Sequence, residues 1–260
     1  MNNINRQLKA AEEWGKVWQV TFAPDKTHAM VISRSPAASQ AVEGLLRFEG
    51  EQLTLQEHIK ILGVTMDREL RYDTHITSVA RQTSQRVSAL RRVAGSLDSR
   101  GILNLYKAQI RPCMEYGALT WMSSAHTHTS RLDAVQRRAL RLLGEDHDDA
   151  ASITSLEHRR DVATLTVCQK AQVLHTPHLT SLSLPPHPPG RMTRQAAAGD
   201  LQVQVPLSRS SQHQRTFSGR AARLWNNFTV ATPGVMDLST QQTKVAANVW
   251  RSALPARLVL

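Results

Sequence analysis

Apolar residues recur every three or four positions at the start of the chain. Ile4, Leu8, Ala11, Trp14 and Trp18 fall on one side of a helix over residues 3–18. That stripe is aromatic and is expected to pack on a sheet. The pattern then shortens to brief β-type runs. Residues 20–22 and 29–32 flank Pro24-Asp25-Lys26-Thr27, where proline presets φ and aspartate caps a turn, so the two runs read as a hairpin-like pair. The stretch LLRFEGEQLTL repeats the arrangement around Glu49 and Gly50. IKILGVTM supplies one more strand with Gly63 inside it, and a glycine within a strand marks a bulge or a close approach by another backbone.

From Asp73 the period changes from two to about 3.6. Ile76, Val79, Ala80, Val87, Leu90 and Ala94 share one face over residues 73–95, with Arg81, Arg86, Arg91 and Arg92 spread around the rest. A second helix over 99–111 carries Ile102, Leu105, Tyr106 and Ile110 and meets Pro112, which kinks or restarts it. A third over 130–143 turns Leu132, Val135, Ala139, Leu140 and Leu143 inward and Arg131, Gln136, Arg138 and Arg141 outward. Three such helices make a small bundle. One or two helices follow over 152–174. HTPHLTSLSLPPHPPG is a proline-rich spacer, assigned to 176–190 and expected to lack regular structure. Two amphipathic segments, 217–228 and 243–254, are expected to dock on the preceding helices. The fold class is therefore α+β: short antiparallel strands, a helical bundle, then a mostly helical extension.

Charge changes the picture because it is unevenly spread. The chain has a formal net charge of +11. Residues 1–73 hold nine bases against ten acids, whereas residues 74–141 hold eleven bases against three acids. Residues 201–260 add seven bases against Asp237 alone. Arginine predominates, and its planar fork matches phosphate oxygens, so phosphate is one reading of the partner. A basic surface that serves only solubility is the other. No run of about eighteen apolar residues is present, so a membrane partner is not expected. MNNINRQLKAAEEWGKVW lacks the apolar block of a secretory signal, and a nuclear or cytoplasmic location is expected rather than secretion.

Candidate chemistry is sparse. Cys113 and Cys168 are too few for a disulfide framework or a thiolate zinc site. Cys168, His175 and His178 offer one thiol and two imidazoles, which read either as a zinc set or as incidental neighbours. Asp148 and Asp149, in GEDHDDAAS, read as a hydrated acidic turn in preference to a metal site, since no second carboxylate-bearing strand is available to converge on them.

The ordered series FAPDKTHAMVIS, IKILGVTMDREL, LYKAQIRPCMEYGALTW and RLDAVQRRALRLL, with Trp18 before it, resembles the end of the reverse transcriptases of non-long-terminal-repeat retrotransposons, in particular the jockey-like group. The resemblance runs from residue 1 to about residue 143. RTFSGRAARLWNNF is similar to a segment that follows the thumb in many such reading frames, where Trp-Asn leads into Leu-Pro; this chain instead has Asn227, Phe228 and a later Pro233. The resemblance implies a partial palm over 1–72 with motifs D and E, a thumb over 73–150 and a C-terminal extension over 151–260. It implies that Lys26 is a vestigial motif D lysine facing the nucleotide's phosphates. It implies that Leu62, Gly63 and Val64 form the primer grip, and that Arg81, Arg86, Arg91 and Arg92 contact nucleic acid.

The same resemblance places the aspartate pairs that hold Mg2+ in the intact enzyme upstream of Met1, along with the fingers. The expectation is a polymerase fragment that binds a template–primer duplex, uses no cofactor of its own and is inactive alone. Strands deprived of palm neighbours are expected to make the first block the less stable one and to invite association. A helical protein-interaction module is the competing reading.

Overall fold

The computed structural model describes residues 2–144, 153–187 and 201–255. It is mostly helical, with two small antiparallel two-stranded sheets near the N-terminus. Two compact units divide it, Met1–His75 and Ile76–Leu260.

In the first unit, α1 (Asn2–Val17) is bound to the segment around Phe48 by polar as well as apolar groups. Asn5 donates to Leu45 O and accepts from Arg47 N–H, while Glu12 accepts from Glu49 N–H. Leu8 and Ala11 join Phe22, Ala29, Val42 and Leu55 around a cluster of Leu46, Phe48 and Leu53. The aromatic stripe is not what packs: Trp14 and Trp18 are 53% and 66% exposed. Gly15 explains the rotation, because a Cβ there would lie 2.5 Å from the ring of Phe22, so the helix presses its Asn5–Leu8–Glu12–Gly15 side inward.

The expected pair over 20–22 and 29–32 does not form. Pro24–Lys26 is a 3-10 turn closed by Thr27 N–H on Pro24 O, and Ala29 makes a single parallel bridge to Leu55. Phe22 and Ala29 are used by the apolar cluster, so the chain runs across it instead of folding back on itself. A helical turn, α2 (Pro36–Gln40), follows.

β1 (Arg47–Phe48) and β2 (Glu51–Gln52) pair as Arg47↔Gln52 and Phe48↔Glu51. Glu49 and Gly50 both take positive φ, as a two-residue turn matched to strand twist requires. The single strand expected around Gly63 is instead a second hairpin. β3 (His58–Ile61) and β4 (Val64–Asp67) pair from His58↔Asp67 to Ile61↔Val64, and Leu62 and Gly63, at φ 46° and 86°, are the turn. Gly63 is thus a reversal and not a bulge, because its freedom at positive φ lets the chain fold back there.

The second unit takes up most of α3 (Asp73–Val93), which buries Ile76, Thr83, Val87 and Leu90. α4 (Ser99–Leu105) starts at Asp98, whose side chain accepts from Gly101 N–H. One π-turn, Tyr106–Ile110, connects it to α5 (Arg111–Glu115), and Arg111 N–H bonds Tyr106 O across the wider loop. That is how the helix accommodates Pro112. After α6 (Ala118–Trp121), α7 (His126–Leu140) begins four residues before its expected start and ends in a 3-10 turn, Arg141–Leu143. Gln136 faces inward, not outward: it is buried and its amide donates to Thr154 O, a bond that satisfies a polar group in the interior.

α8 (Leu156–Gln172) is the axis of the remainder. α9 (Phe217–Ala231) and α10 (Thr240–Ser252) pack on it through Leu165, Cys168, Ala221, Ala222, Trp225 and Ala247. The expected spacer is partly ordered, with a 3-10 turn Pro177–Leu182 and a bridge between Pro186 and Val203. Asn226 grips Val203 at both its N–H and its carbonyl. RTFSGRAARLWNNF is therefore a packing segment. Thr216 caps α9, Arg220 binds Asp161 and Glu157, and Ala221, Ala222, Leu224, Trp225 and Phe228 are wholly buried.

Candidate nucleic-acid interface

α3 and α7 run in the same direction. Arg131 donates to Thr77 Oγ1, and Arg138, seven residues on, donates to Ser84 Oγ at 2.8 Å, seven residues on from Thr77. Equal seven-residue steps on both helices keep the partners in line, since seven residues are close to two turns. Ile76, Thr83 and Val87 on α3 and Leu132, Val135 and Ala139 on α7 are buried.

Thr77, Arg81, Ser84, Ser88, Arg91 and Arg92 lie along one side of α3 by helical spacing; Arg131 and Arg138 border it on α7, and Arg141 opens the 3-10 turn that follows. All six arginines are exposed. From Thr77 to Arg92 the row is about 22 Å long at the α-helical rise. Arg86, expected with the others, projects from the opposite flank and donates to Gln109 O at 2.7 Å.

Among the described residues, no acid of 74–141 offsets this face. Of the three acids between 74 and 141, Asp98 caps α4 and Glu115 is bound to Arg159. Asp133 is half-buried on α7, where burial raises its carboxyl pKa against the pull of Arg160. Two guanidinium groups are already held by hydroxyls, so less side-chain freedom is lost when an anion binds them.

In the first unit, Leu62 at the β3–β4 tip is 86% exposed and Gly63 is exposed, while Val64 turns inward and is buried. Lys26 ends its 3-10 turn with an exposed side chain. The neighbouring residues Asp25, Thr27, His28, Glu51, Gln52 and Gln56 line an open cleft of about 450 Å3.

The described residues do not fit a two-magnesium centre. The strand carboxylates belong to separate hairpins, Glu51 on β2 and Asp67 on β4, and both oxygens of Asp67 accept backbone N–H groups. Asp148 and Asp149 lie outside the described residues. Cys168 is buried in the α8 core, with its thiol pushed up to about 12 by desolvation, whereas His175 and His178 are exposed. Among the described residues no three His, Cys, Asp or Glu side chains are placed to hold a metal ion. None of the described helices is long and apolar enough to cross a membrane.

Residue-type reasoning missed Thr77 and Ser84, because a hydroxyl on a basic helix is unremarkable until an arginine reaches it. The usable signal was the seven-residue interval shared by Thr77–Ser84 and Arg131–Arg138.

No protein-family profile matches the sequence, and no solved structure matches it. Curated relatives do. The chain is 22% identical over 143 residues to the RNA-directed DNA polymerase from mobile element jockey of Drosophila melanogaster, covering 54% of this chain and 15% of the relative. It is 24% identical over 143 residues to the jockey polymerase of Drosophila funebris, covering 53% and 15%. To the probable RNA-directed DNA polymerase from transposon BS of Drosophila melanogaster it is 24% identical over 143 residues, covering 54% and 16%. The matches thus span about 15% of the length of these relatives, and over about half of its own length the chain is related to retrotransposon reverse transcriptases.

Proposed function

We propose that this chain is the palm-to-thumb part of a retrotransposon reverse transcriptase, that it holds a template–primer duplex by its phosphates, and that it does not polymerise alone. The observation that carries this reading is the α3–α7 face, which gathers six exposed arginines with no described acid of 74–141 among them. Such a face binds a polyanion without reading base sequence.

The β3–β4 tip is assigned the primer grip. Leucine at positive φ is a poor choice for a hairpin turn, where asparagine or glycine is favoured, and Leu62 is also exposed. A residue that serves the fold badly on both counts is accounted for if it serves a ligand. Lys26 is assigned to the phosphates of an incoming nucleotide when the rest of the polymerase is supplied.

The test is binding of a fluorescent duplex over a salt series. Four phosphate contacts give a slope of log K on log salt near −3.6. A flat response removes the proposal. A second reading, a protein-interaction module, draws on exposed Trp14 and Trp18, whose rings lie 6.5 Å apart.

A further inference from the structure

The connection from β4 to α3 is held from both ends. Buried Asp67 turns its carboxylate onto the backbone that follows. Oδ1 accepts from Glu69 N–H and Arg71 N–H, each at 3.0 Å, and Oδ2 accepts from Tyr72 N–H at 2.6 Å. Inside that loop Leu70 and Tyr72 hold φ of 53° and 59°, a region that side chains of their size avoid unless the surroundings impose it.

The other grip comes from the helix. In a hairpin closed by a two-residue turn at Ile61↔Val64, the next pair, Lys60↔Thr65, points its backbone groups away from the partner strand. Thr65 N–H therefore projects from the free edge of β4, and it donates to Nδ1 of His75, buried in α3 just after its start, at 3.3 Å. An edge amide is answered by an imidazole lone pair, and a strained loop is answered by a carboxylate.

We propose that Asp67 and His75 are positioning residues that lock the β3–β4 hairpin to the start of α3, and that the lock holds only while His75 is neutral. The inference rests on the reading above, in that the hairpin and α3 are the elements assigned to nucleic acid. Neutral imidazole can present a bare Nδ1, whereas imidazolium carries N–H on both nitrogens and sets a donor against Thr65 N–H. Burial first, and then the charge of Lys60 on β3, hold the imidazole pKa below its usual value, so the accepting form prevails near neutrality. Asp67 on β4 is occupied by loop amides, burial and the Asp67 charge raise the pKa of Tyr72, which keeps it neutral, and Asp73 belongs to the first turn of α3 itself.

The sign follows from the lowered pKa. The unfolded chain binds the proton more readily, so the contribution is fully present above the ordinary imidazole value of about 6.5 and is lost as pH falls towards the folded value.

The experiment is residue-resolved amide hydrogen exchange on the full chain without nucleic acid between pH 8 and pH 5, expressed as protection relative to the intrinsic rate. Thr65 is expected to lose protection by up to about tenfold per pH unit as pH falls from about 6.5 towards the lowered value of the folded imidazole. His75→Gln keeps an acceptor that does not titrate, and its Thr65 protection is expected to stay level. Asp67→Asn is expected to lower protection at Arg71 and Tyr72 at every pH, with far-ultraviolet circular dichroism unchanged. Level Thr65 protection in the native chain overturns the lock, as does the same pH slope in His75→Gln. Duplex binding is measured alongside: a titrating Thr65 amide in a chain that binds no duplex leaves the lock standing and removes the functional reading alone.

Discussion

Arg251 and Arg220 share one carboxylate. Asp161, fully buried on α8, accepts from Arg251 Nε at 2.8 Å through one oxygen and from Arg220 Nε at 2.8 Å through the other, so α8, α9 and α10 are joined at a single charge. Arg220 reaches on to Glu157, and Arg251 donates to Pro255 O.

Removing that carboxylate leaves buried Arg251 without this anion and half-buried Arg220 with Glu157 alone. Asp161→Ala is expected to lower unfolding free energy by about 3–5 kcal/mol, whereas Glu157→Ala, nearer the surface, costs about 1 kcal/mol or less. Urea denaturation followed by circular dichroism measures both. Equal midpoints for the two variants would contradict a hub at Asp161.

The arginine face predicts position-dependent binding losses. Arg81, Arg91 and Arg92 changed together to alanine should weaken duplex binding and make the salt slope shallower by about 2.7. Arg86→Ala should leave that slope in place, because its side chain is turned to Gln109 O on the opposite flank. Matching losses in the two variants would show that the face is not the binding surface.

The cysteines should separate by reactivity. Cys168 is buried with a thiol raised to about 12, and it stays protonated throughout the physiological range. Cys113 is only partly buried. A thiol reagent at pH 8 is expected to label Cys113 in the folded chain and Cys168 only after denaturation. Labelling of both at similar rates would mean that α8 is not packed as described.

Leu62→Asn tests whether the hairpin tip was chosen for its fold. Asparagine tolerates the positive φ found there, so the variant is expected to be as stable as the native chain or more stable by about 0.5 kcal/mol. Under the primer-grip assignment it should nonetheless bind a recessed primer end less well than the native chain. A gain in both properties would withdraw Leu62 from the site.

The two units should also differ in protection. The first has two two-stranded ribbons and an apolar cluster with only three buried members, Leu46, Phe48 and Leu53, whereas α8–α10 surround a cluster of twelve. Ribbons of that size are marginal in water. Amides of 47–66 are expected to exchange faster than those of 156–172, and equal protection would refute the difference.

How far such features could be read in advance depended on whether a single period governed the segment. α3 was legible because Ile76, Val87 and Leu90 keep one phase over about four turns, and Glu49-Gly50 announced its hairpin through a glycine placed where the turn needs positive φ. The 20–32 segment misled because its β-type residues serve an apolar cluster from an extended chain with no ladder, a use that local sequence does not separate from a strand. Gln136 was placed outward by its polarity, and only the carbonyl of Thr154, eighteen residues away, makes its burial acceptable. The interface was half visible: the arginines are plain in the sequence, but the parallel course of α3 and α7 depends on tertiary packing.

The π-turn at Tyr106–Ile110 has a bearing on how this region tolerates length change. It is one residue wound into a helix as slack, so deleting Ala108 would leave Ile102 and Met114 on the faces they now occupy and shorten only the wide loop between them. What the deletion would remove is the clearance that Pro112 uses, since a regular helix would drive the pyrrolidine ring against a carbonyl one turn back. Lineages that lose the slack should therefore be lineages that have also replaced the proline.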